Sequence, residues 1–89
     1  MKVKVLFFAS LREQLKCGSE DIELPPGAST LGALRTILAG RGGDWQTALA
    51  ENRPIRVAVN QDMVPRSGAN EIAIKAGDEI AFFPPVTGG

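Results

Sequence analysis

Hydrophobic and polar residues alternate from the start of the chain. In KVKVLFF, Val3, Val5 and Phe7 fall on one side and Lys2, Lys4, Leu6 and Phe8 on the other, because successive side chains of a strand point to opposite faces. The second set turns apolar at its far end. Ser10 and Glu13 then fit a capping box, Ser-x-x-Glu, that opens a short helical turn carrying Leu11 and Leu15, with Gly18 closing it. The stretch EDIELPPG predicts a second short strand through Ile22 and Leu24, ended by Pro25 and Pro26, which cannot donate to a sheet ladder.

From Ser29, read as an N-cap, the segment TLGALRTILAGRGG places Leu31, Leu34 and Leu38 on one helical face with Ile37 at its flank. This is the main helix. Gly40, Gly42 and Gly43 stop it, and Gly32 inside it weakens it by about 1 kcal/mol relative to Ala. Asp44 is expected to cap a further turn carrying Trp45 and Leu49. In IRVAVN, Ile55, Val57 and Val59 alternate with Arg56 and Ala58, followed by a turn at Asn60, Gln61 and Asp62 and a short return strand through Met63 and Val64. After the loop RSGAN, Gly77-Asp78 makes a turn into a closing strand whose Ile80 and Phe82 point to the core. The order predicts an α+β domain, with one main helix packed across one face of a sheet.

Composition supports folding and narrows the setting. Eighty-nine residues, 44% apolar and 22% charged, suit one small domain that buries roughly 60 to 65% of its unfolded surface. Ten basic residues balance ten acidic ones, so no overall field favours nucleic acid or an anionic membrane. Lys2 and Lys4 before an apolar run imitate a secretory signal, but that run meets Arg12 and Glu13 without a small-x-small cleavage pattern and reads as a strand. No apolar stretch is long enough to span a membrane. Cys17 is the single cysteine, which removes an internal disulfide and a cysteine-built metal site. The expected location is cytoplasmic.

Candidate chemistry is sparse until the end of the chain. Histidine is absent, so no serine or threonine has an imidazole to activate it, and a hydrolytic triad is not expected. The GRGG stretch follows a helix and lacks the Lys-Ser/Thr ending of a phosphate loop, so it reads as a helix stop. Cys17 next to Lys16 reads as an incidental thiol. The last eight residues, FFPPVTGG, are different. Pro84 and Pro85 fix φ and lack N–H donors, so the ladder ends there and residues 1–85 form the domain while 86–89 form a flexible tail. Four extended residues reach about 13 Å. Gly88 and Gly89 have no Cβ and can thread a narrow channel. The terminal carboxylate, anionic at neutral pH, can attack the α-phosphorus of ATP held by a partner. Sulfur delivered to the resulting acyl-adenylate then leaves a thiocarboxylate.

The same alternation predicts a docking surface. If Val3, Val5, Phe7, Ile80 and Phe82 face the helix, Leu6, Phe8 and Phe83 emerge on the opposite sheet face near the tail, joined by Met63, with Arg12 on the rim. An exposed apolar patch of that kind marks an interface.

The segment GDEIAFFPPVTGG, Gly77 to Gly89, resembles the C-terminal signature of the small subunits of molybdopterin synthase, and LFFASLRE (Leu6 to Glu13) and VAVNQ (Val57 to Gln61) resemble segments of the same family. These are ubiquitin-like sulfur carriers with a β-grasp fold. The resemblance implies that Gly89 is adenylated by an E1-like activating enzyme using ATP and converted to a thiocarboxylate by a sulfur donor. Gly88 gives clearance, and Pro84, Pro85, Val86 and Thr87 join Phe8, Arg12, Met63 and Phe83 in partner contacts. It further implies that the large synthase subunit, in a heterotetramer with this chain, supplies most catalytic groups while sulfur passes to cyclic pyranopterin monophosphate. On this reading the chain is not an enzyme alone, and it binds no cofactor or metal. A thiazole-forming sulfur carrier, a ubiquitin-like modifier of lysines and a plain binding module with an inert tail are the alternatives.

Overall fold

The computed structural model describes residues 1–50, 54–65 and 67–84. In chain order the elements are β1 (Lys2–Phe7), α1 (Ala9–Leu15), β2 (Ser19–Glu23), α2 (Leu31–Ala39), α3 (Gly43–Leu49), β3 (Arg56–Val59), β4 (Asp62–Met63), a 3-10 turn (Ala69–Glu71) and β5 (Glu79–Phe83). The strands form one mixed five-stranded sheet in the order β2-β1-β5-β3-β4. Only β1 and β5 run parallel, with Val5 opposite Ile80 and Phe7 opposite Phe82. The first and last strands are thus central neighbours whose C-terminal ends emerge side by side.

One face of the sheet carries the core. Val3, Val5, Phe7, Val57, Ile80 and Phe82 are buried there against Leu31, Leu34 and Leu38 of α2, which is the alternation expected for the strands and the i, i+3, i+7 spacing expected for the helix. The Phe7 ring stacks on Phe82 at 5.8 Å and meets the edge of Trp45 at 5.4 Å, pinning α3 to the sheet. Trp45 in turn lies under the Arg41 guanidinium, 4.5 Å from the ring centroid. Arg41 also donates to both carboxylate oxygens of Glu20. That hydrogen bond holds the Glu20 carboxyl below its ordinary range and raises the guanidinium, joining the start of β2 to the end of α2.

Several local expectations are corrected. No capping box forms at Ser10. Phe8 is the N-cap, extended and without a side-chain cap, because its N–H bonds the Phe82 carbonyl at 3.2 Å and its own carbonyl accepts from Leu11. The ladder therefore runs one residue past β1 and the helix begins at once, which places Ser10 inside the first turn. That helix ends at Lys16 in the left-handed region, ahead of Gly18. Thr30, not Ser29, caps α2, its hydroxyl accepting from Ala33 N at 3.2 Å. Ser29 is occupied one residue earlier, its carbonyl accepting from Ile74 N at 2.8 Å. Asp44 lies in the first turn of α3 while Gly42 is its N-cap. Asp62 belongs to β4 rather than to the turn before it, so the β3–β4 hairpin turns on Asn60 and Gln61, both at positive φ, the two-residue geometry that follows strand twist.

Candidate functional site: the tail-end face of the sheet

The face of the sheet opposite the core divides into two halves. Near the start of β1, Lys4 lies between Asp21 and Glu79, and Lys2 lies opposite Glu23. These cross-strand pairs of opposite charge suit a solvated surface. Toward the other end the rows become apolar. Leu6, Ala81, Ala58 and Met63 succeed one another across β1, β5, β3 and β4. Beyond them Phe8 and Phe83 stack at 4.8 Å with planes 7° apart, and Arg56 stands across from Phe83. Ala58 and Ala81 are 3% and 7% exposed although they lie outside the core cluster, because the larger side chains beside them cover them. Phe8 and Met63 are 40% and 51% exposed.

Local chemistry fixes the other end of β5. Asn60 donates from Nδ2 to Asp78 at 3.0 Å and accepts from Glu79 N at 2.9 Å, and Asp78 accepts from Lys75 N at 2.7 Å. The Asn60 hydrogen bond, followed by the Lys75 N–H, holds the Asp78 carboxyl below its usual range. The β3–β4 turn is thereby tied to the residues that start β5. Gly77 N and Lys4 N in turn bond Lys2 O and Asp78 O, so β5 is anchored at its beginning and its end is presented at the stacked rings.

Of the residues expected to meet a partner, Phe8, Met63 and Phe83 share this half of the outer face, and Pro84 follows Phe83 directly. Arg12 stands apart. Its backbone N bonds Phe8 O, but a Cβ placed on Gly18 would lie 3.2 Å from its Nε, so its side chain runs along the loop after α1, where it lines a shallow hollow with Lys16 and Cys17. Pro85, Val86, Thr87, Gly88 and Gly89 lie outside the described residues. Sequence reasoning missed Arg56, Ala58 and Ala81 as members of the face, although their places alternating with Val57, Ile80 and Phe82 carried the signal. Among the described residues no group of three or more His, Cys, Asp or Glu could hold a metal ion, and no helix is long and apolar enough to cross a membrane. What the arrangement offers chemically is an apolar contact area with one guanidinium, at the end of the strand that leads into the terminal segment.

A mixed sheet with its first and last strands paired in parallel at the centre, and a helix crossing one face, defines a ubiquitin-like β-grasp protein. The likeness extends to solved structures. Small archaeal modifier protein 1 from H. volcanii matches with a TM-score of 0.73 at 25% identity, covering 96% of this chain and 98% of that one. The complex of subunits 1 and 2 of molybdopterin-converting factor from Helicobacter pylori contains a chain that matches with a TM-score of 0.67 at 26% identity over 100% of both. The chain belongs to the ThiS family, which matches residues 5–89. Among curated relatives, the molybdopterin synthase sulfur carrier subunit of Haemophilus influenzae is 46% identical over 87 residues, 98% of this chain and 99% of the relative.

Proposed function

We propose that this chain is the sulfur carrier of molybdopterin synthase, loaded by one protein and emptied in another. The Gly89 carboxylate attacks the α-phosphorus of ATP on an E1-like activating enzyme, and pyrophosphate leaves. Sulfide-level sulfur from a donor then attacks the acyl carbon, AMP leaves, and the tail ends in a thiocarboxylate. The tail enters the large synthase subunit, the sulfur passes to cyclic pyranopterin monophosphate, and water supplies the oxygen that regenerates the carboxylate. Gly88 leaves room at the channel wall, and Pro84 to Thr87 contact the partner. The apolar half of the outer face, with Phe8, Met63 and Phe83, seats on the large subunit. In this reading the chain has no activity alone, binds neither cofactor nor nucleic acid, and works in the cytoplasm within a heterotetramer.

The observation that carries this reading is the joining of two features at one end of the sheet. The exposed stacked pair of Phe8 and Phe83 stands where β5 gives way to PPVTGG. Whole-length likeness to the sulfur carrier subunit of Haemophilus influenzae favours the pterin pathway over the thiazole one. The likeness to an archaeal modifier keeps one second reading in play, transfer of Gly89 to a lysine amine. Intact mass spectrometry after incubation with the activating enzyme, ATP and a sulfur donor separates the two. A carrier gains the mass of sulfur replacing oxygen, whereas a modifier forms stable conjugates. Deleting Gly89 should abolish sulfur loading and molybdopterin formation; a truncated chain that supports normal synthesis rules the proposal out.

A further inference from the structure

We infer that Asn60 is a positioning residue of the docking face and holds Met63 where the large synthase subunit meets it. The inference rests on the reading above that this face seats that subunit. Met63 comes from β4, a strand of two residues with two register pairs, Ala58 with Met63 and Val59 with Asp62. At 51% exposure its side chain has little packing to locate it, so its place follows from its backbone. One end of that backbone is secure. Val64 is buried in the core and its N–H bonds Val57 O at 2.9 Å, and alternation from Val64 puts Met63 on the outer face. The other end is the turn, where Asn60 and Gln61 have φ of 50° and 72°. Two-residue turns of this kind favour glycine at the second position. Gln61 brings a side chain instead, so the turn's own conformation is a weak hold.

Asn60 supplies the hold. Its N–H bonds Glu79 O at 2.7 Å, its Oδ1 accepts from Glu79 N at 2.9 Å, and its Nδ2 donates to Asp78 at 3.0 Å. Asp78 is itself fixed, its carboxylate accepting from Lys75 N at 2.7 Å and its carbonyl from Lys4 N at 2.9 Å. The turn is therefore clamped to β5 and through it to β1, the strands that lead into Phe83 and Phe8. Met63 on the edge strand and the stacked rings at the centre thus belong to one frame. The side-chain bonds of this clamp are exposed, and such bonds add little to global stability because water replaces them. Strands β3 and β5 pair at four register positions without the turn. Losing the clamp frees a short edge segment rather than the fold, and a partner must then order that segment as it binds, which weakens association.

Titration calorimetry of the whole chain against the large subunit, with melting of each free variant, tests this. Asn60→Gly keeps the positive φ and removes the side-chain bonds. It should bind about threefold to tenfold more weakly while melting within about 8 °C of the parent. Met63→Ala should weaken binding at least as much, and adding Asn60→Gly to it should weaken binding no further, because the two residues act as a unit. A purely structural role gives the same loss in both backgrounds. Asn60→Asp combined with Asp78→Asn reverses the pair. The new carboxylate accepts from Glu79 N and from the new amide, whose oxygen takes Lys75 N, so binding should return to the parent value although Asn60→Asp alone binds weakly. Parent-like binding by Asn60→Gly or by Met63→Ala overturns the inference, as do additive losses, or a reversed pair that melts like the parent and still binds weakly. A larger fall in the melting temperature of Asn60→Gly also overturns it, by placing the clamp in the fold itself. Phe83→Asp, run in parallel, separates the two levels. If it loses binding while Asn60→Gly keeps it, the docking face stands and Asn60 falls; if Phe83→Asp binds normally, the docking reading itself fails and this inference with it.

Discussion

Gly32 sits in the first turn of α2, where an alanine would ordinarily help: Gly to Ala in an unobstructed helix interior gains about 1 kcal/mol. The structure reverses the expectation. A Cβ on Gly32 would lie 2.9 Å from the Asn70 carbonyl oxygen and 3.0 Å from Asn70 Cβ, and a backbone oxygen cannot swing aside as a side-chain tip can. Either α2 or the 3-10 turn must move. That turn is held to the helix by Leu31 N bonding Ile72 O at 3.0 Å, and by Ile74 N bonding Ser29 O at 2.8 Å. Forcing a methyl into such a contact costs roughly 1–3 kcal/mol, which outweighs the propensity gain, so Gly32→Ala should destabilise by about 1 kcal/mol. For a domain of this size the melting temperature falls by about 4–8 °C for each kcal/mol. The neighbouring change in the opposite direction, Ala33→Gly, should also destabilise, by about 1 kcal/mol, because it only loses propensity. Thermal unfolding followed by circular dichroism measures both. A propensity account gives the two variants opposite signs; a Gly32→Ala chain that melts above the parent refutes the steric argument.

Thr30→Ala removes the α2 cap and should lower stability by about 1 kcal/mol, whereas Ser29→Ala should change it little; equal losses in urea titration would assign the cap wrongly. The Glu20 carboxyl is depressed below its ordinary value of 4.5, first by the hydrogen bond from Arg41, so its contribution is present above that value and is lost as pH falls through the lower folded-state value. Glu20→Gln should therefore flatten the fall in melting temperature below about pH 4.5, with a small amplitude because the pair is about one-third exposed; an unchanged acid limb would show that the pair does not contribute. Trp45 fluorescence should report the same change, since the Arg41 guanidinium lies over its ring.

Most of this fold was legible because its elements repeat a simple period. Val3, Val5 and Phe7, like Ile80 and Phe82, were placed by alternation alone, and Leu31, Leu34 and Leu38 by helical spacing. Boundaries were less legible, since they depend on partners far along the chain. Ser10 looks like a cap until Phe82 is known to hold Phe8 extended, and Ser29 looks like one until Ile74 is known to claim its carbonyl. Gly32 reads as a weakness until Asn70 arrives beside it. At the docking face, Phe8, Phe83 and Met63 followed from strand parity. The rim position of Arg12 did not settle as expected, because parity says nothing about where a long side chain lies after the helix begins.

Strand parity also explains how one small sheet can serve two purposes. Every residue between Leu6 and Phe8, or between Ala81 and Phe83, belongs either to the core or to the outer face, and the two sets interleave without sharing a side chain. Phe7 and Phe82 stack inside while Phe8 and Phe83 stack outside, so two aromatic pairs lie on opposite sides of the same two parallel strands. The inner pair is fully enclosed and couples the sheet to Trp45. Among the described residues nothing covers the outer pair on its exposed side, where Phe8 is 40% exposed, which is the surface that the proposed docking uses. Changes at Phe8 or Phe83 should accordingly act mainly on association, and changes at Phe7 or Phe82 on folding. Because β1 and β5 run parallel, both outer rings emerge at the same end, and the residue after Phe83 is the first of the segment leading to Gly89. On the function proposed above, a contact made there would hold the partner at the point where that segment begins.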